Sequence, residues 1–234
     1  VIECNLRASR SFPFCSKVLK QNLIAYATRV ILGEEVQKVD KSSLDLEYVG
    51  VKAAQFSFSR LKGTDPVLGV EMSSTGEVGC FGSELNDAFL KAFISVGFKI
   101  PKKNILLSTG PIENKVKFLS SAKKLRKLGY ELFATGGTAR FLIENGVAVR
   151  LLYWPLENKQ PNILDYLKDG KIDLVINIPK NNQEEELKND YLIRRTAVDF
   201  GISLITDIKI ARRMVEALEY YQENQLEIEP WEYY

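Results

Sequence analysis

From Ile105 onward, short apolar runs alternate with amphipathic stretches at a spacing that leaves one fold class open. Strand-like segments Ile105–Leu107, Glu131–Ala134, Val149–Leu152, Leu174–Ile178 and Ser203–Ile205 are each followed by a helical pattern. The helices are expected at Glu113–Leu128, Thr138–Asn145, Ile163–Lys168, Tyr191–Phe200 and Ile208–Tyr220, with Gly146 and Gly170 closing two of them. Continuous apolar strands between helices predict a parallel sheet covered on both faces, the α/β class. Ligands of such sheets sit outside the carboxyl ends of the strands.

The first 98 residues read differently. Val1–Asn5 resembles a strand already under way, and we expect the chain to be a fragment whose first sheet has further strands upstream. An irregular Ser11–Phe14 stretch follows, then a helix capped by Ser16 and running to Leu32, with Leu19, Leu23, Ala27, Val30 and Ile31 on its apolar face. Strands are expected at Tyr48–Ala53 and Phe56–Phe58, and a helix capped by Ser83 over Glu84–Val96, with Leu85, Ala88, Phe89, Ala92, Phe93 and Val96 inward. Gly97 to Lys103, punctuated by Pro101, is the expected boundary between domains 1–98 and 103–234. The tail from Gln222 carries four glutamates and several aromatics; docking and disorder are both open for it.

With 234 residues, 45% of them hydrophobic, the chain can bury two modest cores. A net charge of +2 and the lack of a basic stripe argue against nucleic acid as a partner. No run approaches a membrane span. Cys4, Cys15 and Cys80 lack metal or disulfide spacing and fit buried thiols in a reducing compartment, the cytoplasm or alternatively the mitochondrial matrix.

Phe133-Ala134-Thr135-Gly136-Gly137-Thr138 carries the chemistry. A strand ending in a glycine- and hydroxyl-rich turn, with Thr138 opening a helix, aims backbone N–H groups and two threonine hydroxyls at one point on the positive end of the helix dipole. Phosphate or carboxylate is the natural occupant. The chain contains no histidine, so an anion held there lacks the commonest acid–base partner. Neighbouring strand-end loops add Ser108, Thr109, Lys115, Trp154, Asn177, Lys180 and Asn181, a set of donors with no evident proton acceptor. Each residue has a plainer use. The threonines can cap the helix, Trp154 can plug the core, Asn177 can satisfy its own loop, and the lysines can be solvated. Arg194 and Arg195, expected at a helix start, call for a compensating carboxylate, with Asp190 and Asp199 as internal candidates.

Phe133–Thr138, Ile172–Asn177 and Tyr191–Asp199 together resemble the methylglyoxal-synthase-like domain. Glu3–Lys17, Phe58–Gly69 and Glu71–Val78 are similar to the end of the second ATP-grasp unit of carbamoyl-phosphate synthetase large subunits. The resemblance spans essentially the whole chain. It implies an α/β architecture: the tail of an α+β ATP-grasp domain, then a doubly wound parallel sheet serving regulation. It further implies that Glu3 and Asn5 share a magnesium (or manganese) ion on ATP, and that Arg7 and Arg10 act catalytically, steadying a transferring phosphoryl group. This piece alone would be inactive, because the rest of the ATP site precedes it in the family. The family's effector pocket maps onto Lys115, Thr135, Gly136, Gly137, Thr138, Trp154, Asn177, Lys180 and Asn181. The partners implied are a small-molecule effector, the remainder of the synthetase chain, a glutaminase subunit or domain, and further copies in an oligomer.

Bacterial glutamine-dependent members take inosinate or uridylate and carry lysine where Trp154 stands; tryptophan resembles the N-acetylglutamate-activated type. Lys180 and Asp190 depart from that type, which has asparagines there. Ala53 departs from the glutamate of ornithine-activated members. Effector binding would bias the ATP-grasp conformation by roughly 1–3 kcal/mol, through the Glu84–Val96 helix and Pro101. Two alternatives stand beside this reading: a methylglyoxal-synthase-type lyase, which needs histidine and aspartate at the pocket, and a free-standing metabolite-binding module.

Overall fold

A computed structural model describes residues 11–38, 42–67, 75–179, 184–223 and 226–234. The second half is a five-stranded parallel sheet built from β3 (Asn104–Ser108), β4 (Glu131–Ala134), β5 (Arg150–Leu151), β6 (Leu174–Asn177) and β7 (Ser203–Ile205), in the order β5-β4-β3-β6-β7. Side chains alternate across it. Ile105, Leu107, Leu132, Ala134, Leu174 and Ile176 face one hydrophobic cluster, while Leu106, Phe133 and Val175 face the other. Both sets are buried, which is why the strands read as unbroken apolar runs rather than alternating ones.

Helices α4 (Ile112–Lys127), α5 (Gly136–Glu144) and α8 (Ile208–Glu223) cover the first face; α6 (Ile163–Lys168) and α7 (Glu184–Asp199) cover the second. This is the doubly wound α/β arrangement. Two helices begin earlier than the periodicity suggested. Helix α5 starts at Gly136, so Gly-Gly-Thr is its first turn, and α7 starts at Glu184. Arg194 and Arg195 therefore lie in the body of α7, not at its start.

The first part forms a two-stranded antiparallel sheet, β1 (Val49–Gln55) on β2 (Gly76–Gly82). The predicted Ser16–Leu32 helix is two helices, α1 (Ser11–Val18) and α2 (Leu23–Ile31). Between them Lys20 takes φ 51°, and Asn22 caps α2 by accepting from the Ala25 amide at 3.0 Å. Ser16 does not cap a helix; its hydroxyl accepts from the Leu23 amide at the break. Ser11–Phe14, expected to be irregular, is helical because Phe14 lies flat over Gly50 and Gly79 of the two strands. No residue of α2 is buried, so its predicted apolar face is uncovered among the described residues, with Ile31 83% exposed.

Phe56–Phe58 is not a strand. It leads into successive turns, with the two rings stacked 5.5 Å apart. Helix α3 (Leu85–Ser95) is not capped by the Ser83 hydroxyl; the Ser83 amide donates to the buried Asp87 carboxylate, and Leu85 points outward. Phe89 and Leu90 of α3 join the same cluster as α8, so hydrophobic packing runs continuously across the Gly97–Lys103 segment. Cys15 is exposed and Cys80 half-buried, contrary to the expected buried thiols; Cys4 lies outside the described residues.

Of the tail's two readings, docking is the one the fold adopts. The Tyr234 ring meets Tyr48 and Phe81 at 5.9 and 5.8 Å, and its hydroxyl accepts from Lys91 Nζ at 3.0 Å. A cavity of about 440 Å³ lies beneath, lined by Phe14, Cys80, Phe81, Ile94 and Trp231 among others. Among the described residues no helix is long and apolar enough to cross a membrane.

Glycine at position 82 is required by close approach. An added Cβ would overlap the Asp87 carboxylate and the Ala88 amide, whereas at Gly76 it would meet nothing nearer than 3.6 Å. Gly82→Ala should therefore cost about 1–3 kcal/mol in urea unfolding. Gly76→Ala should cost less than about 1 kcal/mol.

Candidate anion-binding site

All five strands end on the same edge of the sheet, and the loops after β3 and β4 lie side by side through the parallel register of Leu107 with Ala134. Two helices start from these loops, α4 after Pro111 and α5 after Thr135. The first intrahelical bond of α5 runs from the Ala139 amide to the Thr135 carbonyl at 2.7 Å. The amides of Gly136, Gly137 and Thr138 precede it, and no carbonyl among the described residues accepts from them. They are the positive end of the helix.

The Lys115 ammonium stands over this turn, 3.2 Å from where a Gly137 Cβ would be. A cation beside a helix N-terminus is unfavourable by itself, by about 0.3–1 kcal/mol when exposed. A bound anion reverses the sign. Gly136 is half-buried and Gly137 exposed, so the turn is open to solvent.

The two threonines behave differently from the expectation that both hydroxyls aim at the ligand. Thr135 and Thr138 are buried. Thr138 Oγ1 accepts from the Thr109 amide at 3.2 Å and lies 3.4 Å from the Thr109 hydroxyl, which fastens the β3 loop to α5. Thr135 Oγ1 donates to Ser108 Oγ at 3.4 Å, and Ser108 Oγ donates to Asp190 Oδ1, also at 3.4 Å. Both bonds are long against the usual 2.7–2.8 Å for hydroxyl donors, so little energy opposes turning either hydroxyl to a ligand. Asp190 is a buried carboxylate two bonds behind Thr135. That corrects the expectation of a donor set with no acceptor. Its position was not readable from spacing, because it comes from α7, more than fifty residues along the chain.

Asn177 ends β6 opposite Ser108 and is fully buried. Its Nδ2 donates to Asp190 Oδ1 at 2.8 Å, and its Oδ1 accepts from Arg194 Nη1 at 2.8 Å. It sits behind the turn, in contact with protein on both sides. Trp154 follows β5 at the rim of the second cluster, half-buried, with its backbone held by Glu157 and Asn162. Glu3, Asn5, Arg7, Arg10, Lys180 and Asn181 lie outside the described residues. Among the described residues no group of three or more Cys, Asp or Glu could hold a metal ion.

The compensating carboxylate for the arginine pair comes from elsewhere than Asp190 alone. Arg194 is buried and grips Asp65 with both forks, Nε to Oδ1 at 2.7 Å and Nη2 to Oδ2 at 2.6 Å. Arg195 pairs with Asp199 as expected, at 3.1 and 2.5 Å, and its hydrogen bonds hold that carboxyl below the usual range. Its Nη1 also donates to the carbonyls of Phe58, Leu61 and Thr64 at 3.0–3.1 Å. Tyr191 adds a bond to the Gly63 carbonyl. Tyr191, Arg194 and Arg195, within little more than one turn of α7, thus hold the 58–65 loop.

A family model for the MGS-like domain matches residues 117–206. Multifunctional protein CAD of Squalus acanthias is 50% identical over 232 residues, covering 93% of this chain and 10% of its own. Multifunctional protein URA2 of Saccharomyces cerevisiae is 48% identical over 229 residues, 93% of this chain and 10% of its own. The mitochondrial carbamoyl-phosphate synthase (ammonia) of Homo sapiens is 45% identical over 228 residues, 94% of this chain and 15% of its own. Among solved structures, a methylglyoxal synthase from Elizabethkingia anophelis aligns with a TM-score of 0.38 and 21% identity, over 50% of this chain and 82% of that one. The chain spans only about a tenth to a seventh of the length of the curated relatives named here. Its likeness to them runs nearly end to end, through both sheets, and the chain belongs to the carbamoyl-phosphate synthase family as a region that includes an MGS-like domain.

Proposed function

We propose that the turn Gly136–Thr138 binds the phosphate or carboxylate head of a small metabolite, and that this is the effector site of a carbamoyl-phosphate synthase chain. The observation that carries the reading is the Lys115 ammonium poised over Gly137 at the positive end of α5. Two cationic features converge there, and an anion placed between them interacts favourably with both. An anion gains from the helix terminus by about 0.3–1 kcal/mol and from each charge-assisted hydrogen bond by about 1.5–3 kcal/mol. Several such donors suffice for a micromolar site, about 8 kcal/mol.

The site binds without converting. The chain has no histidine, and the Asp190 carboxylate is engaged by Ser108 and Asn177 behind the turn. A lyase reading therefore gains nothing from Asp190. On the same proposal the parent protein is the ligase that makes carbamoyl phosphate with ATP. Glu3 and Asn5 would hold its magnesium, and Arg7 and Arg10 the transferring phosphoryl group. Lys180 and Asn181 would complete the effector pocket, and Trp154 would pack on an acyl chain or a base. Its compartment would be the cytoplasm or, alternatively, the mitochondrial matrix; one of the relatives is mitochondrial by name.

Isothermal titration of the intact protein with uridylate, inosinate and N-acetylglutamate tests the reading. At least one should bind, and with an affinity that falls as salt rises. Lys115→Gln should weaken that ligand by about 10- to 100-fold, as loss of one charge-assisted bond requires. The same variant should leave thermal stability of the ligand-free protein within about 0.5 kcal/mol, because the side chain is half-buried and not in a core cluster. Silence from all three ligands, with the fold intact, would remove the assignment.

A further inference from the structure

We propose that Arg194 is a positioning residue that couples the anion site to the 58–65 loop, and that its neighbour Arg195 anchors the same loop without taking part in the coupling. The coupling rests on the reading of Gly136–Thr138 as an anion site. Its basis is a continuous set of contacts joining groups far apart in sequence. Thr135 meets Ser108, Ser108 meets Asp190, Asp190 meets Asn177, Asn177 meets Arg194, and Arg194 grips Asp65 with two bonds. The links differ in stiffness. The two hydroxyl bonds nearest the turn are 3.4 Å long, whereas those from Asp190 outward are 2.6–2.8 Å.

That gradient has a consequence. A ligand that draws the Thr135 hydroxyl towards itself takes it from Ser108 and leaves Ser108 free to close on Asp190. Asp190 shares its Oδ1 between Ser108 and the Asn177 amide, so a firmer bond to one weakens the other. The Asn177 carboxamide is rigid, and a shift at its nitrogen moves the oxygen that Arg194 Nη1 holds. Arg194 is buried along its whole length, so its guanidinium cannot trade lost partners for water. The displacement reaches Asp65.

Arg195 is built differently. Its partners are Asp199 on its own helix and three carbonyls of the loop, with no bond to Asn177, Asp190 or Ser108. It fixes the loop whatever the anion site holds. Two of those carbonyls, Phe58 and Leu61, also accept from the amides of Leu61 and Thr64, and the neighbouring Arg60 amide donates to the Ser57 carbonyl. The amides report directly on loop order.

Hydrogen exchange of the 57–64 segment in the intact protein, without any ligand, tests the relay. Ser108→Ala and Thr135→Val alter only the pocket end and touch nothing in the loop. If the contacts are coupled, each should speed exchange of this segment roughly threefold or more. Asn145→Ala, on the far end of α5, should leave it at the wild-type rate. Wild-type exchange in both pocket variants would overturn the proposal. If one variant fails to fold, the other decides.

Titration with uridylate, inosinate and N-acetylglutamate forms the second arm. Reciprocity requires Asp65→Asn to change the dissociation constant of a bound probe by about fivefold or more. Arg195→Lys should loosen the loop yet leave that constant within about twofold. Equal shifts from both variants would overturn the division of labour. If no probe binds the wild-type protein, the anion reading falls, and the exchange arm alone then decides whether the relay exists.

Discussion

A buried guanidinium holds this structure's two sheets in a defined relation. Arg194 is among the largest fully buried side chains described, and its charge is met by Asp65 from a loop 129 residues earlier. Removing Asp65, whose own side chain is 39% exposed, would leave that buried charge short of its counter-ion, a cost of about 1–3 kcal/mol with solvent screening. The loop is therefore not an optional ornament of the first sheet. Its docking lets α7 carry an arginine in its interior at all, and Asn177 at the end of β6 takes the remaining donor.

The charges at the edge of the parallel sheet alternate in sign from the surface inward. Lys115 and the α5 terminus are positive, Asp190 is a carboxylate, Arg194 is positive, and Asp65 is a carboxylate again. On the proposed function, an anion at Gly136–Thr138 would extend this alternation by one negative member at its outer end. The aromatic cavity beneath Tyr234 has another character. It is lined mainly by apolar side chains, and two of its lysines, Lys91 and Lys52, pair with Asp87 and Glu77.

The parallel sheet was largely legible in the sequence because burial on both faces imposes long apolar runs, and the strand positions were recovered to within a residue or two. Helix starts were less so. Gly136–Gly137 has low helix propensity yet forms a first turn, because tertiary packing of Ala139 and Leu142 overrides it. The first sheet was poorly legible for a related reason. β2 contains Gly79 and Gly82, whose value lies in the close approach of Phe14 and Asp87, and close approach leaves no periodic signal. In the site, the turn itself was readable from the six contiguous residues Phe133–Thr138. Asp190 and Asp65 were not assigned to it, since pairing across α7 depends on register that local spacing does not encode. The apolar stripe of α2 shows the limit from the other side: the pattern marks a face that prefers burial, not what covers it.

On the proposed function, the helix terminus and Lys115 together hold an anion. An experimental structure of the intact protein grown with uridylate or N-acetylglutamate is the sharpest test. Phosphate or carboxylate oxygens are expected about 3 Å from the amides of Gly137 and Thr138 and from Lys115 Nζ. Ligand density confined to the cavity under Tyr234, with those amides bonded to protein carbonyls, would contradict it.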